Sequence, residues 1–192
     1  DDVVSNWSAT KLEPICIEKN EAINIDAELA RITMDVLGRV AFDYKFSSEE
    51  MDTMSNALNI AFFEFGLTAG KSIFRQLAIT SWMFASHRNG VKASKELQSL
   101  CRKIMNDHRS QKDVRKDTVI YLIANDPDYK SEQERIRDMV VYVAGGYDTT
   151  SQTLNWVLLE LARNPKEQTK LWSALKECSS DDEARNCAAL KN

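Results

Sequence analysis

The sequence predicts an all-α protein: several amphipathic helices and one helix far longer than usual. Three observations carry this. Only six glycines and three prolines punctuate 192 residues. Apolar residues recur at three- and four-residue spacing over long stretches. No stretch of useful length alternates apolar and polar residues as a half-buried strand does.

Composition narrows the class further. Hydrophobic residues make up 43% and charged residues 28%, the balance of a globular protein, and the length suits one domain or a large piece of a bigger one. A net charge of -4, with acids interleaved among the bases, leaves no basic stripe for nucleic acid. The four cysteines (Cys16, Cys101, Cys178, Cys187) lack C-x-x-C spacing, and His87 and His108 are the only histidines, so neither a disulfide nor a zinc framework is expected. The two histidines read as surface or helix-packing residues. No apolar run reaches the roughly 20 residues of a membrane span, and no signal peptide opens the chain.

Taken in order, Ile25, Leu29, Ile32, Val36, Leu37 and Val40 mark a first strong helix. Met51, Met54, Leu58, Ala61, Phe62 and Phe65 mark a second, expected to close at Gly66. Leu97, Leu100, Cys101, Ile104, Met105 and His108 mark a third. An apolar patch, Val119 to Ala124, runs into the turn Asn125-Asp-Pro-Asp128. Ser131-x-x-Glu134 then has the spacing of a capping box, in which each side chain satisfies a free backbone amide of the other. From there helical period continues to Asn164-Pro165, which stops it, because the residue before proline is pushed out of helical geometry. Asn164 is expected to cap the next helix, with Pro165 in its first turn and Glu167 completing a box. The span 132–163 corresponds to about 48 Å at 1.5 Å per residue.

Inside that long helix stands Val143-Ala-Gly-Gly-Tyr-Asp-Thr-Thr150. Two glycines there cost about 2 kcal/mol relative to alanines. Three readings fit the residues. The glycines end one helix and Thr149-x-x-Gln152 caps another. Or "MVVYVAGG" is a buried strand leading to a phosphate-binding turn, although the G-x-G-x-x-G and P-loop endings are missing. Or the helix continues through a bend, with the Thr149 hydroxyl bonded back to the Gly145 carbonyl four residues earlier. In the third reading a flat ligand lies against the bare glycines, and Asp148 and Thr149 form a proton relay from solvent to a reacting atom.

Gly145-Gly-Tyr-Asp-Thr-Thr150 fits the (A/G)-G-x-(D/E)-T-(T/S) pattern of the cytochrome P-450 superfamily, the heme-thiolate monooxygenases, and the chain resembles that superfamily more widely. "LNWVLLELARNPKEQTKLW" resembles the end of the family's central helix and the start of the next. "SEQERIRDMV" resembles its approach, and "IDAELARITMDVLGRVAFDYKF" the helix that precedes the roof of the substrate pocket. The likeness runs through residues 20–176, whereas 177–192 forms a tail without it, so 1–192 reads as a single partial domain.

The resemblance implies heme as cofactor, with electrons from NAD(P)H through a reductase or ferredoxin partner. It implies dioxygen and a small lipophilic substrate as reactants. Thr149 takes the place of the family's threonine beside dioxygen at the heme, and Asp148 that of the acid passing protons inward. Gly145, Gly146, Thr149 and Thr150 are the expected cofactor-binding residues, with Ala144 near substrate. The segments 51–66 and 90–110 would roof the pocket. Phe62, Phe63, Phe65, Trp82 and Phe84 are candidates for its lining or for a membrane-facing rim, although aromatics so spaced are more often core.

The family's iron-ligating cysteine sits in F-x-x-G-x-R-x-C-x-G, and none of the four cysteines has that context. Its E-x-x-R pair is also missing, since Glu132-x-x-Arg135 and Glu134-x-x-Arg137 precede the central motif and read as ordinary helix-surface pairs. The chain is therefore expected to be an internal fragment of a monooxygenase, inactive by itself. A eukaryotic whole protein would sit on the endoplasmic reticulum membrane, facing the cytosol; a bacterial one would be cytoplasmic. The alternative is a truncated, non-catalytic helical protein that binds ligands or partners.

Overall fold

The structure, a computed structural model, describes residues 2–19, 22–70 and 85–177. Trp82, Phe84 and the tail with Cys178 and Cys187 lie outside the described residues. The described chain is helical, with no strand. It comprises α1 (Asp2–Trp7), a wider π-helical stretch (Ser8–Glu18), α2 (Ile25–Ala41), α3 (Ser48–Gly70), α4 (Ala85–Ser110), α5 (Val119–Asn125), α6 (Glu132–Arg163) and α7 (Pro165–Glu177). No described helix is long and apolar enough to cross a membrane.

The chain forms two compact units, residues 1–151 and 152–192. In the first, α3 and α4 make the most extensive helix pairing. Around them gather Met34, Phe42, Met54, Leu58, Leu97, Cys101, Ile104, Met105, Ile136, Met139 and Val143, all nearly inaccessible. The stripe expected on α4 faces this core, with His108 at its end 5% exposed. The face of α2 is as expected at Leu29 and Ile32, which are buried, but turns away from expectation farther along. Met34, Gly38 and Ala41 are buried, whereas Val36 and Val40 point outward, Val40 at 61% exposure. Gly38 explains the rotation: a Cβ there would lie 2.7 Å from the Phe46 ring and the Tyr44 carbonyl. The chain doubles back over that glycine, whose carbonyl accepts the Phe42 and Tyr44 amides at 3.1 and 3.0 Å. Asp43 makes the reversal with φ 48, in the left-handed region.

Caps set most of the other boundaries. Asn24 accepts from the Ala27 amide at 3.3 Å and starts α2. Ser47 and Glu50 form a full reciprocal box at α3, the serine accepting from the Glu50 amide at 3.2 Å and the carboxylate from the Ser47 amide at 2.9 Å. This helix continues past Gly66 to Gly70 and leaves Phe62, Phe63 and Phe65 exposed, not in the core. The patch at 119–124 is a short helix capped by Thr118, whose hydroxyl accepts from the Tyr121 amide at 3.3 Å.

The long helix has the expected bounds, Glu132–Arg163, and its α-helical turns are unbroken through both glycines. Its capping box is displaced by one residue: Ser131 accepts from the Glu134 amide as expected, but Glu134 reaches the Lys130 amide at 2.8 Å. The pairs read at its start also differ. Glu132 is held by both guanidinium nitrogens of Arg109 on α4, at 3.0 and 2.9 Å. Arg135 turns to the carbonyls of Ile123 and Asp126, at 3.0 and 2.8 Å. These carbonyls end α5 and have no amide of their own helix to accept from, so a guanidinium there gains more than one on the solvent face.

In the second unit Asn164 joins α6 to α7, but not as a side-chain cap of α7. Its amide group donates to the Glu160 carbonyl at 2.8 Å, closing α6, while its backbone carbonyl accepts the Glu167 and Gln168 amides at 3.0 and 3.1 Å. Leu154, Trp156, Val157, Leu158 and Leu159 on this part of α6 are exposed, as are Leu171, Trp172 and Leu175 on α7.

Candidate functional site

The cluster at 145–150 lies on α6 where the helix divides its faces sharply. Ile136, Met139, Val143, Tyr147 and Ser151 are buried, at spacings of three and four residues. Val141, Tyr142, Gly145 and Thr149 occupy the opposite side and are exposed. Continuity of α6 removes both the helix-break reading and the strand-and-phosphate reading of this stretch. The bond expected of the third reading is present: the Thr149 hydroxyl donates to the Gly145 carbonyl at 2.5 Å.

The six residues do not share one surroundings. Gly145 opens onto space, since a Cβ built on it meets nothing within 4 Å. Gly146 turns inward, and a Cβ there would lie 2.9 Å from Cδ1 of Leu37 on α2. The first glycine therefore leaves an open strip, and the second admits a neighbouring helix. Tyr147 is buried, at 4% exposure. Asp148 stands half-buried between the two faces, with its backbone carbonyl accepting from the Ser151 hydroxyl at 3.1 Å. Thr149 and Thr150 are exposed, and Ala144 is partly buried against the core.

One member of this cluster, Tyr147, and its partner Ser55 were not singled out from sequence. The Tyr147 and Ser55 hydroxyl oxygens lie 2.6 Å apart, joining α6 to α3. They border a cleft of about 240 Å³ that Ala30, Met34, Asp52 and Asn59 also line. The burial of Tyr147 was within reach of the sequence, because it continues the stripe Met139-Val143 by four residues. Its pairing with Ser55 was not, because 92 residues separate them.

The fit to heme is divided. Tyr142, Gly145 and Thr149 form an exposed strip on α6, with a phenol at one end, bare backbone in the middle and a hydroxyl at the other. The axial ligand is a different matter. Cys101 is fully buried in the core, and burial pushes its thiol up to about 12, so it stays protonated. Metal ligation by cysteine requires the thiolate, and Cys101 does not fit that role. Among the described residues, no three histidine, cysteine or acidic side chains gather as a metal site.

The chain is 23% identical to a bifunctional cytochrome P450/NADPH–P450 reductase of Bacillus cereus, over 93% of the chain and 16% of that protein. It is 28% identical to cytochrome P450 736A117 of Prunus mume, over 82% of the chain and 33% of the relative. It is 24% identical to cytochrome P450 71A23 of Arabidopsis thaliana, over 99% of the chain and 41% of the relative. The chain thus spans less than half the length of these curated relatives. The cytochrome P450 family profile matches residues 2–191, nearly the whole sequence. With an unbroken central helix carrying Gly-Gly-Tyr-Asp-Thr-Thr and a match of that extent, the chain belongs to the cytochrome P450 family.

Proposed function

We propose that this chain is the oxygen-handling portion of a heme-dependent monooxygenase acting on a small lipophilic substrate. The observation that carries the proposal is the bond from the Thr149 hydroxyl to the Gly145 carbonyl, on the open side of an unbroken helix with Asp148 next in line. Heme, when bound, supplies the activation of dioxygen, with electrons that originate in NAD(P)H and arrive through a reductase partner. One relative combines a cytochrome P450 with such a reductase by name, which supports that partner class.

In this reading Gly145 lets the ring approach the helix backbone, and Thr150 and Ala144 border the ring and the substrate. Gly146 acts from behind by keeping α6 close to α2. The Thr149 hydroxyl gives its one proton to the Gly145 carbonyl, which leaves its oxygen lone pairs to accept a hydrogen bond from a protonated group at the reacting face and so hold that proton in place. Asp148, half-buried between the faces, exchanges protons with solvent and recharges the relay. The iron ligand comes from outside this chain, because no cysteine here has the required sequence context and Cys101 stays a thiol. The isolated chain is accordingly proposed to be inactive.

The test is Thr149→Ala in a heme-loaded protein that carries this segment together with the iron-ligating cysteine. The peroxide-to-product ratio should rise by up to about a hundredfold, the low end of what one proton-transfer group contributes. An unchanged ratio removes Thr149 from the relay.

A further inference from the structure

Tyr147 fills the one position that the Gly-Gly-x-Asp-Thr-Thr pattern leaves open, yet it is the only fully buried residue of the six. Its hydroxyl and that of Ser55 satisfy each other at 2.6 Å. Losing either one leaves the other without this bond, on the wall of the cleft that both residues border. Directly before it, Gly146 receives Leu37 of α2. Two adjacent residues are thus anchored on two different helices, and the next residue in the chain is Asp148.

This arrangement fixes how far α6 is turned about its own axis. Successive residues of an α-helix are about 100° apart. A turn large enough to separate Tyr147 from Ser55 would carry Thr149 and Asp148 round by the same angle. From this geometry we infer that Tyr147 is a positioning residue for the proton relay, acting through Ser55 on α3. The two hydroxyls set the angle at which Asp148 and Thr149 meet the open strip. The chemical consequence rests on the relay proposed above; the contact between helices does not.

The same bond ties the relay to α3. Farther along that helix stand the exposed rings of Phe62, Phe63 and Phe65. A displacement of α3 therefore reaches Asp148 through one hydroxyl pair.

The experiment compares Tyr147→Phe, Ser55→Ala, the double variant and Ser55→Thr, which keeps a hydroxyl. Amide hydrogen exchange of residues 147–151 is read in the full chain, and the peroxide-to-product ratio and KM in the heme-loaded protein. Tyr147→Phe and Ser55→Ala should each speed exchange and raise the ratio, by about tenfold for one lost buried bond, at unchanged KM. The double variant should be no worse than either single, and Ser55→Thr should restore both readouts. Additive effects, or Tyr147→Phe indistinguishable from the parent in exchange and ratio, would overturn the inference. If Thr149→Ala raises the ratio and Tyr147→Phe does not, only this inference fails. If Thr149→Ala does not raise it, the relay itself is wrong, and exchange alone then decides whether the hydroxyl pair fixes the helix.

Discussion

Gly146 and Leu37 meet so closely that a Cβ on the glycine would lie 2.9 Å from the leucine Cδ1, whereas its neighbour Gly145 faces no atom within 4 Å. Two adjacent glycines of one motif therefore respond differently to the same change. Gly145→Ala removes a helix-weakening residue at no steric cost and should stabilise the chain by about 1 kcal/mol. Gly146→Ala gains the same propensity but must push Leu37 aside, and should come out near neutral. Thermal melts of the two variants measure the difference.

A second expectation concerns acid. Burial would raise the Glu50 carboxyl, but the hydrogen bonds from Lys103, the Ser47 amide and Tyr44 outweigh it and pull the group down to about 2. The folded value lies below the unfolded one, near 4.5. Its stabilisation is therefore complete above pH 4.5 and is lost as pH falls toward 2. Glu50→Gln should cost roughly 2 kcal/mol at pH 7, the size of a charge-assisted hydrogen bond. Urea melts at pH 7 and pH 3 check this, since the gap between parent and variant should narrow at the lower pH.

His108 works at milder acidity. Burial holds its pKa below the usual 6.5, with the Arg109 charge pushing the same way and Asp43 opposing. Its Nδ1 is buried without a hydrogen-bond partner. The folded state thus prefers the neutral ring, and the associated stability is present above pH 6.5 and lost as pH falls below it. The melting temperature of His108→Gln should fall less steeply than that of the parent between pH 7 and pH 5. Parallel slopes would rule out a contribution from His108.

Cys101 gives a prediction about reactivity. With its thiol held near 12 and no accessible surface, it should resist alkylation at pH 8 in the folded chain and react readily in urea. Mass spectrometry of the peptide containing Cys101 resolves it from the other cysteines. Labelling of the folded chain at the unfolded rate would mean that the α3–α4 core opens freely.

The legible parts of this protein were those punctuated locally. Ser131 and Asn164-Pro165 bracket α6, so its 32 residues followed from sequence, as did the α4 stripe ending in His108. The Thr149 bond to Gly145 was legible because four residues on a helix dictate it. Whatever depends on another element was not. Val36 and Val40 read as core because α2 is apolar on two sides, and only the chain reversal over Gly38 selects one of them. Phe62, Phe63 and Phe65 have the spacing of a core face, yet all three are exposed among the described residues. Arg135 looked like a surface pair for Glu132 until α5 placed bare carbonyls beside it.

Asn164 closes α6 with its side chain and opens α7 with its carbonyl, so the single residue between the two helices caps both. The joint has no slack. Fraying of either helix from this end withdraws support from the other, and the two ends should melt as one cooperative step. A loop of ordinary length absorbs an inserted residue; this elbow does not, because a residue added on either side of Asn164 separates its amide group from Glu160 or its carbonyl from Glu167. The sequence Arg163-Asn-Pro165 should therefore tolerate a change of length far less than the polar surface around it suggests.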